Sequence, residues 1–333
     1  MSLLPVEPAW RLAERKDEHR WLIAGLWSEQ AVGIVGGEPK CCKSFLALDI
    51  AVAVAAGIPC LRRFAVPRTG RVLLYAAEDA LHIVRRRFDG ICEAAGVALA
   101  DLDIQVITAP TLRLDLEADR NSLAETVARL QPRLLILDPF VRLHRIDENA
   151  SGEVAPLLAY LRELQRRYGV AVLVVHHARK GAGNARAGQA LRGSSEFHAW
   201  GDSNLYLRRD GDDLTLTVEH RAAPSLAPIA IALAQRGPAL ALEAVDPKEQ
   251  AAPASTTLDE RIAAALADSG GTMPFTQLRA CCRVRAATLY ERLAALTATG
   301  RIANSASKTR ANALTARSGL HLDPFTGSTS ASP

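Results

Sequence analysis

The amino-acid sequence predicts an α/β protein with a mostly parallel β-sheet covered by helices on both faces, followed by a small helical domain. Three observations carry this prediction. Continuous apolar runs alternate with longer amphipathic or alanine-rich segments over residues 31–180, a pattern typical of strands buried on both faces of a parallel sheet. Two alternating strands joined by Asp210-Gly211 come next. A polar stretch then precedes a basic C-terminal portion.

The elements of the first region follow one another without long gaps. Residues 31–37 are an apolar run that ends in two glycines, and the alanine-rich segment 43–57 ends at Gly57, which favours a strand followed by a glycine-capped helix. The same alternation continues along the chain. In order, we predict strand 71–79, helix 80–96, strand 103–109, helix 122–130, strand 133–140, helix 153–169 and strand 170–180.

The pattern changes beyond residue 200. The Asp-Gly pair between two alternating strands predicts a hairpin, and two further short apolar runs predict additional strands. Three helices of a separate domain come after a linker. We therefore divide the chain into an N-terminal segment 1–30, an α/β domain 31–245, a linker 246–257, a winged-helix-like or helix-turn-helix domain 258–315, and a disordered tail 316–333.

Composition narrows the function classes. The 333 residues are 49% hydrophobic and 23% charged, and the six cysteines lack the spacing of a zinc site or a secreted disulfide framework. Neither a signal peptide nor a membrane span is predicted, so we expect a cytoplasmic protein. From Ser255 onwards there are nine basic and five acidic residues, which favours an acidic partner such as nucleic acid.

The segment GEPKCCKS has the outline of a phosphate-binding loop, with cysteine at the position before the lysine where glycine is expected. In such a loop the lysine contacts the β- and γ-phosphates, the serine hydroxyl binds Mg²⁺, and backbone N–H groups surround the phosphates. A chance match is the alternative. The predicted nucleotide-binding residues are Gly37, Glu38, Pro39, Lys40, Cys41, Cys42, Lys43 and Ser44.

Acidic residues end two other predicted strands. Glu78 and Asp79 end the strand predicted at 71–79, and Asp138 lies at the end of the strand predicted at 133–140. Because the carboxyl ends of parallel strands meet at one edge of the sheet, these acids should lie near the phosphate loop. A nucleotide-hydrolysing site needs one acid to hold Mg²⁺ and one to activate water. The alternative for each acid alone is a helix N-terminal charge.

The ordered set GEPKCCKS, YAAED, LLILDP, VLVVHHARK and LRGSS resembles the RepA-type branch of the RecA-like P-loop ATPases, whose best-known members are hexameric replicative helicases. The resemblance covers about residues 20–235. It implies ATP and Mg²⁺ as cofactors, with Ser44 and Asp138 as metal ligands. It further implies that Glu78 is the catalytic acid and that His176 or His177, preferably His177, senses the γ-phosphate.

Rings of this family complete each site with an arginine from the neighbouring subunit. Arg192, Arg208 and Arg209 are the candidates, and Arg208 is preferred from its distance past the histidines. The family's channel-lining segment corresponds to residues 179–192, which are basic and glycine-rich. The predicted DNA contacts are Lys180, Arg186 and Arg192 in this loop, and Arg283 and Arg285 in the C-terminal domain.

These observations predict a DNA-acting ATPase, a replicative helicase or translocase that works as a homohexameric ring on single-stranded and also double-stranded DNA. One alternative is an ATP-dependent regulatory switch of replication, transposition or repair that binds DNA without unwinding it. The other is a nucleotide-binding assembly module with a degenerate phosphate loop, for which Cys42 is the sole support.

Overall fold

The computed structural model describes residues 6–12, 20–177, 196–211, 213–236, 239–245, 258–269, 272–282, 284, 286–299, 301–305 and 319–321. Its internal contacts divide the chain into two units, Met1–Asp246 and Pro247–Pro333. Among the described residues, no helix has both the length and the apolar character that crossing a bilayer requires.

The first unit is built on a sheet of nine strands. Six neighbouring strands are parallel, and the remaining three extend one edge as an antiparallel meander. The strands are β3 (Val32–Gly37), β4 (Val72–Ala76), β5 (Ile104–Val106), β6 (Leu134–Asp138), β7 (Ala171–His177), β8 (Ser203–Asp210), β9 (Asp213–His220), β10 (Ile229–Arg236) and β11 (Ala239–Val245). Across the sheet their order is β11-β10-β9-β8-β3-β7-β6-β4-β5.

Helices cover both faces of this sheet because the parallel strands are apolar on both sides. One apolar core lies beneath α1 and α2, and a second lies beneath α3, α4 and α5. The helices are α1 (Lys43–Ala56), α2 (Leu81–Ala95), α3 (Glu117–Leu130), α4 (Ser151–Tyr168) and α5 (Glu196–Trp200). This architecture confirms the predicted fold class.

The first unit differs in detail from the sequence-based expectation. Helix α3 begins at Glu117, five residues before the predicted start, because its polar first turn lacks apolar periodicity; the acids there favour a helix N-terminus. The short ribbon of β1 (Trp21–Ile23) and β2 (Trp27–Ser28) lies in the segment for which no element was predicted. Its strands are too short to show a period.

In its described residues, the second unit contains three helices and a three-stranded antiparallel sheet of order β12-β14-β13. Arg292, on the third helix, forms an ion pair with Asp259 of the first, with 2.6 Å between Nη2 and Oδ2. The elements run helix, strand, helix, helix, strand, strand, and the last strand lies within the segment 316–333 that was predicted to be a disordered tail. The winged-helix-like assignment stays a prediction. The elements are α6 (Leu258–Asp268), β12 (Thr272–Pro274), α7 (Phe275–Cys282), α8 (Ala286–Ala298), β13 (Ala303–Ser305) and β14 (Gly319–His321).

Candidate active site

The carboxyl ends of the central strands bring the predicted site residues to one edge of the sheet. Strand β3 pairs in parallel with both neighbours, so that Gly37 lies opposite His177 of β7 and Leu207 of β8. On β6, Asp138 pairs with Ala76, the last residue of β4. The turn that carries Glu78 and Asp79 begins directly after that pair. Residues distant in the sequence therefore meet beside the loop that follows β3.

The phosphate loop begins at a glycine that no other residue could replace without rearrangement. Gly37 has a φ of +153°, and a Cβ there would lie 2.3 Å from the carbonyl oxygen of Leu207. Both the backbone conformation and the close approach of β8 require the absence of a side chain. Gly37 therefore lets the chain leave the sheet close to β8.

Lys43 opens helix α1 and is held inside the loop. Its side chain is buried, and Nζ donates to the carbonyl oxygens of Gly37 and Glu38 at 3.0 and 2.8 Å. Burial lowers its pKa, while the charges of Asp138 and Glu78 act in the opposite direction. Its ammonium group is thus directed into the loop, where phosphate oxygens would be stronger, charged acceptors than these carbonyls.

Cys42 occupies the N-cap position of α1 in the left-handed conformation, with φ +66° and ψ +24°. The helix nevertheless starts at Lys43, and the N–H of Leu46 donates to the Cys42 carbonyl at 3.0 Å. The cysteine thus adopts a conformation that costs little for glycine and about 1–2 kcal/mol for other residues. The departure from glycine strains the loop without preventing it from forming.

Replacing Cys42 with Gly is therefore expected to stabilise the first unit by about 1 kcal/mol relative to Cys42→Ala, because only Gly relieves the left-handed strain. The alanine variant is the matched control, since it also lacks the thiol but keeps Cβ. Urea unfolding followed by tryptophan fluorescence measures the difference. All four tryptophans lie between residues 10 and 200 and report on this unit. Equal stability of the two variants would show that position 42 carries no strain.

Asp138 lies at the floor of the site. Its side chain is almost completely buried, and burial raises its pKa to about 6, although a hydrogen bond with Ser44 and the charge of Lys43 act against this rise. A buried carboxylate beside a serine hydroxyl offers the hard oxygen ligands that Mg²⁺ prefers. Among the described residues, no group of three or more His, Cys, Asp or Glu side chains could hold a metal ion. The donor set of Ser44 and Asp138 therefore fits a Mg²⁺ ion that takes its remaining ligands from phosphates and water.

The two acids after β4 have different partners. Glu78 is half exposed, and its Oε1 accepts a hydrogen bond from Nη2 of Arg142 at 3.1 Å. Asp79 forms an ion pair with Arg87 of α2, with a second contact of 3.3 Å between Nη2 and Oδ1. Asp79 is thus paired with the helix that follows it, α2, whereas Glu78 lies on the accessible side of the site. This arrangement favours Glu78 as the reacting acid.

The two histidines that end β7 point to opposite faces of the sheet. His176 is buried, and its ring stacks on Phe197 of α5 with centroids 4.1 Å apart. His177 lies two residues beyond Val175, which packs in the core beneath α1, and therefore shares that face of the sheet. Burial lowers the pKa of His177, and the positive charge of Lys43 lowers it further. Its Nδ1 is buried without a hydrogen-bond partner among the described residues. This placement favours His177 over His176 as the residue that faces the site.

Of the three candidate arginines, the structure describes Arg208 and Arg209. Arg208 and Arg209 are adjacent, exposed residues near the end of β8. The role of either one in a neighbouring subunit stays a prediction. The predicted DNA contacts Lys180, Arg186, Arg192, Arg283 and Arg285 lie outside the described residues, and their roles stay predictions.

Two contacts at the site were not foreseen from the sequence. One is the hydrogen bond from Arg142 to Glu78, which joins residues 64 positions apart. The other is the contact between Arg209 and the Cys42 thiol, across 167 positions. Both depend on strand order. The second was accessible in principle, because pairing β8 beside β3 would have placed its end next to the loop.

Comparison with known proteins adds a family and two similar structures. A family model described as "AAA domain" matches residues 2–183. The RadB recombinase structure is similar at 16% identity and a TM-score of 0.47, covering 66% of this chain and 92% of that chain. A DnaB-like replicative helicase, in a structure that also concerns its interactions with primase, is similar at 14% identity and a TM-score of 0.48, covering 64% of this chain. This chain spans 57% of that helicase chain.

Proposed function

The chain belongs to the AAA domain family, whose model matches more than half of it, and from that premise we propose that it binds Mg·ATP at residues 37–44 and hydrolyses it to act on DNA. The family match confirms the resemblance to RecA-like P-loop ATPases. We further propose helicase or translocase activity, assembly into a ring and DNA as the partner.

The single observation that carries the proposal is the convergence of three charged side chains at one sheet edge. Lys43, Asp138 and Glu78 come from three separate segments, yet they are close enough for the two acids to influence the pKa of the lysine. A buried lysine in a loop at a helix N-terminus suits phosphates. A buried acid and an accessible acid beside it suit metal binding and water activation respectively. An assembly module that only binds nucleotide would not need the accessible acid, Glu78.

In the proposed reaction each side chain has one role. Lys43 binds the β- and γ-phosphates, and the loop N–H groups bind the remaining phosphate oxygens. Ser44 and Asp138 would hold Mg²⁺, which when bound neutralises phosphate charge. Glu78 orients the attacking water and accepts its proton, and His177 contacts the γ-phosphate. These assignments follow the positions described above and the family resemblance.

Action on DNA is supported by the charge of the C-terminal portion and by the basic segment after β7. The region from Ser255 onwards has nine basic and five acidic residues, whereas the rest of the chain is balanced. The segment 178–195 joins His177 to helix α5, on which His176 stacks. Any movement of His177 at the γ-phosphate would therefore act on the start of the predicted DNA-binding segment. We propose that Arg208 completes the site of a neighbouring subunit in a ring.

The steady-state rate of ATP hydrolysis, measured with and without single-stranded DNA, tests this function. We expect single-stranded DNA to raise kcat by about tenfold or more, since the predicted DNA-binding segment begins directly after His177. Slow hydrolysis that DNA does not stimulate, together with DNA affinity that depends on residues 258–315, would favour the regulatory switch instead. Nucleotide binding without hydrolysis in either condition would favour the assembly module.

A further inference from the structure

A guanidinium group of the same chain lies against the phosphate loop. Nη2 of Arg209 is 3.4 Å from the sulfur of Cys42. The position follows from the sheet, because Arg209 lies two residues beyond Leu207, the β8 residue that pairs with Gly37. A positive charge is therefore present at the entrance to the loop without any contribution from a second subunit.

The alternation of side chains along β8 separates Arg209 from Arg208. Leu205 and Leu207 pack in the core beneath α1, whereas Tyr206 packs in the core on the opposite face. Since successive residues of a strand point to opposite faces, Arg209 shares the face of α1 and the phosphate loop. Arg208 shares the face of Tyr206. The two neighbouring arginines cannot serve the same site in the same chain.

We propose that Arg209 binds the phosphate chain of the nucleoside triphosphate held by its own subunit, and that Cys42 keeps the guanidinium beside the loop when no nucleotide is bound. This inference rests on the proposed ATP site and names a further binding residue for it. It leaves Arg208 as the arginine available to a neighbouring subunit.

The chemistry of the contact supports an exchange of partners. Among the described residues, no carboxylate pairs with Arg209, and its hydrogen bond goes to a thiol, which is a weak acceptor. Phosphate oxygens are charged and match the planar fork of a guanidinium. A nucleotide in the loop would therefore displace the thiol as the partner of Arg209. A glycine at position 42 would have no side chain to accept a hydrogen bond from Arg209.

Equilibrium binding of a fluorescent ATP analogue with Mg²⁺ tests the inference, at a protein concentration where sedimentation detects single chains only. We expect Arg209→Ala to weaken binding about tenfold, as loss of a charged hydrogen bond would. Arg85→Ala is the control, because Arg85 is an exposed arginine of α2 that pairs with Asp89, and we expect this variant to bind as the wild type does. Arg209→Gln, which keeps most of the side-chain stem, replaces the alanine variant if that protein does not fold.

The outcomes separate this inference from the proposed function. If Arg209→Ala binds like the wild type while Lys43→Ala loses binding, the ATP site stands and the role of Arg209 is overturned. A loss that appears only in assembled protein would likewise overturn it, because the arginine would then act on a neighbouring subunit. If Lys43→Ala itself binds like the wild type, the proposed site is wrong, and Arg209 then has no phosphate site to serve.

Discussion

Replacing Glu78 with Gln is expected to reduce ATP hydrolysis by about 10²–10⁴-fold while ATP binding stays close to that of the wild type. The glutamine side chain keeps the size of the glutamate, and it can still accept the hydrogen bond from Arg142. It cannot accept a proton from the attacking water. The loss should therefore appear in kcat, and the equilibrium affinity for Mg·ATP should change little.

Asp79 supplies a matched control for this prediction. Asp79→Asn changes the adjacent acid by the same one-atom substitution, but its carboxylate is engaged by Arg87 of α2. We expect this variant to keep most of its hydrolysis rate. Single-turnover hydrolysis and calorimetric ATP binding, measured on both variants, make the comparison. Undiminished turnover in Glu78→Gln, or an equal loss in both variants, would contradict the assignment of Glu78 as the water-activating acid.

Asp79 is a useful control because the sequence places it next to Glu78, whereas tertiary contacts give the two acids different partners. The sequence placed Glu78 and Asp79 together at a strand end, since YAAED follows a continuous apolar run. It could not distinguish them, because the arginines that engage them come from other elements: Arg142 follows β6, and Arg87 lies two turns into α2. The contact between Arg142 and Glu78 joins residues 64 positions apart and depends on strand order, which the periodicity of a single segment does not contain.

In the phosphate loop, too, some features can be predicted from the local sequence and others depend on the folded structure. The place of the loop between a buried strand and an alanine-rich helix could be predicted from residues 31–57, and the structure has β3 and α1 there. The sequence could not show whether cysteine is tolerated at the position before the lysine. That answer depends on backbone torsions at Cys42, and the structure places it in the left-handed region with helix α1 intact. The sequence also left open which arginine faces the loop, because the faces of β8 become distinct only once its neighbours are known.

Replacing Asp138 with Asn is expected to abolish Mg²⁺-dependent hydrolysis and, at the same time, to stabilise the protein in the absence of metal and nucleotide. The carboxylate is buried, and its folded-state pKa is raised from 3.8 to about 6. A raised pKa means that the folded state disfavours the ionised form. Asparagine has the same shape, stays neutral and can still accept the hydrogen bond from Ser44. Removing the buried charge should therefore stabilise the fold by roughly 1–3 kcal/mol at neutral pH.

The sign of the pH dependence distinguishes this effect from a general change in packing. Above pH 6 both the folded and the unfolded chain ionise Asp138, so the wild type bears the full cost of the buried charge. As the pH falls below 6, the folded state takes up a proton before the unfolded state does, and the cost diminishes until it vanishes below about 4. The stability advantage of Asp138→Asn should thus be largest at pH 7.5 and fall to about half at pH 5.

Urea unfolding in EDTA without nucleotide, followed by tryptophan fluorescence at the two pH values, measures this advantage in the unit that contains the site. Ser44→Ala is a useful comparison, because it removes a ligand and a hydrogen bond but leaves the buried charge, and it should destabilise the protein. An Asp138→Asn variant that is less stable than the wild type at pH 7.5 would show that the carboxylate stabilises the fold. Asp138 would then be a structural residue, and a site for Mg²⁺ would have to be sought elsewhere. A stabilised but inactive variant would instead mean that the fold tolerates the buried charge at a cost in stability because the reaction requires it.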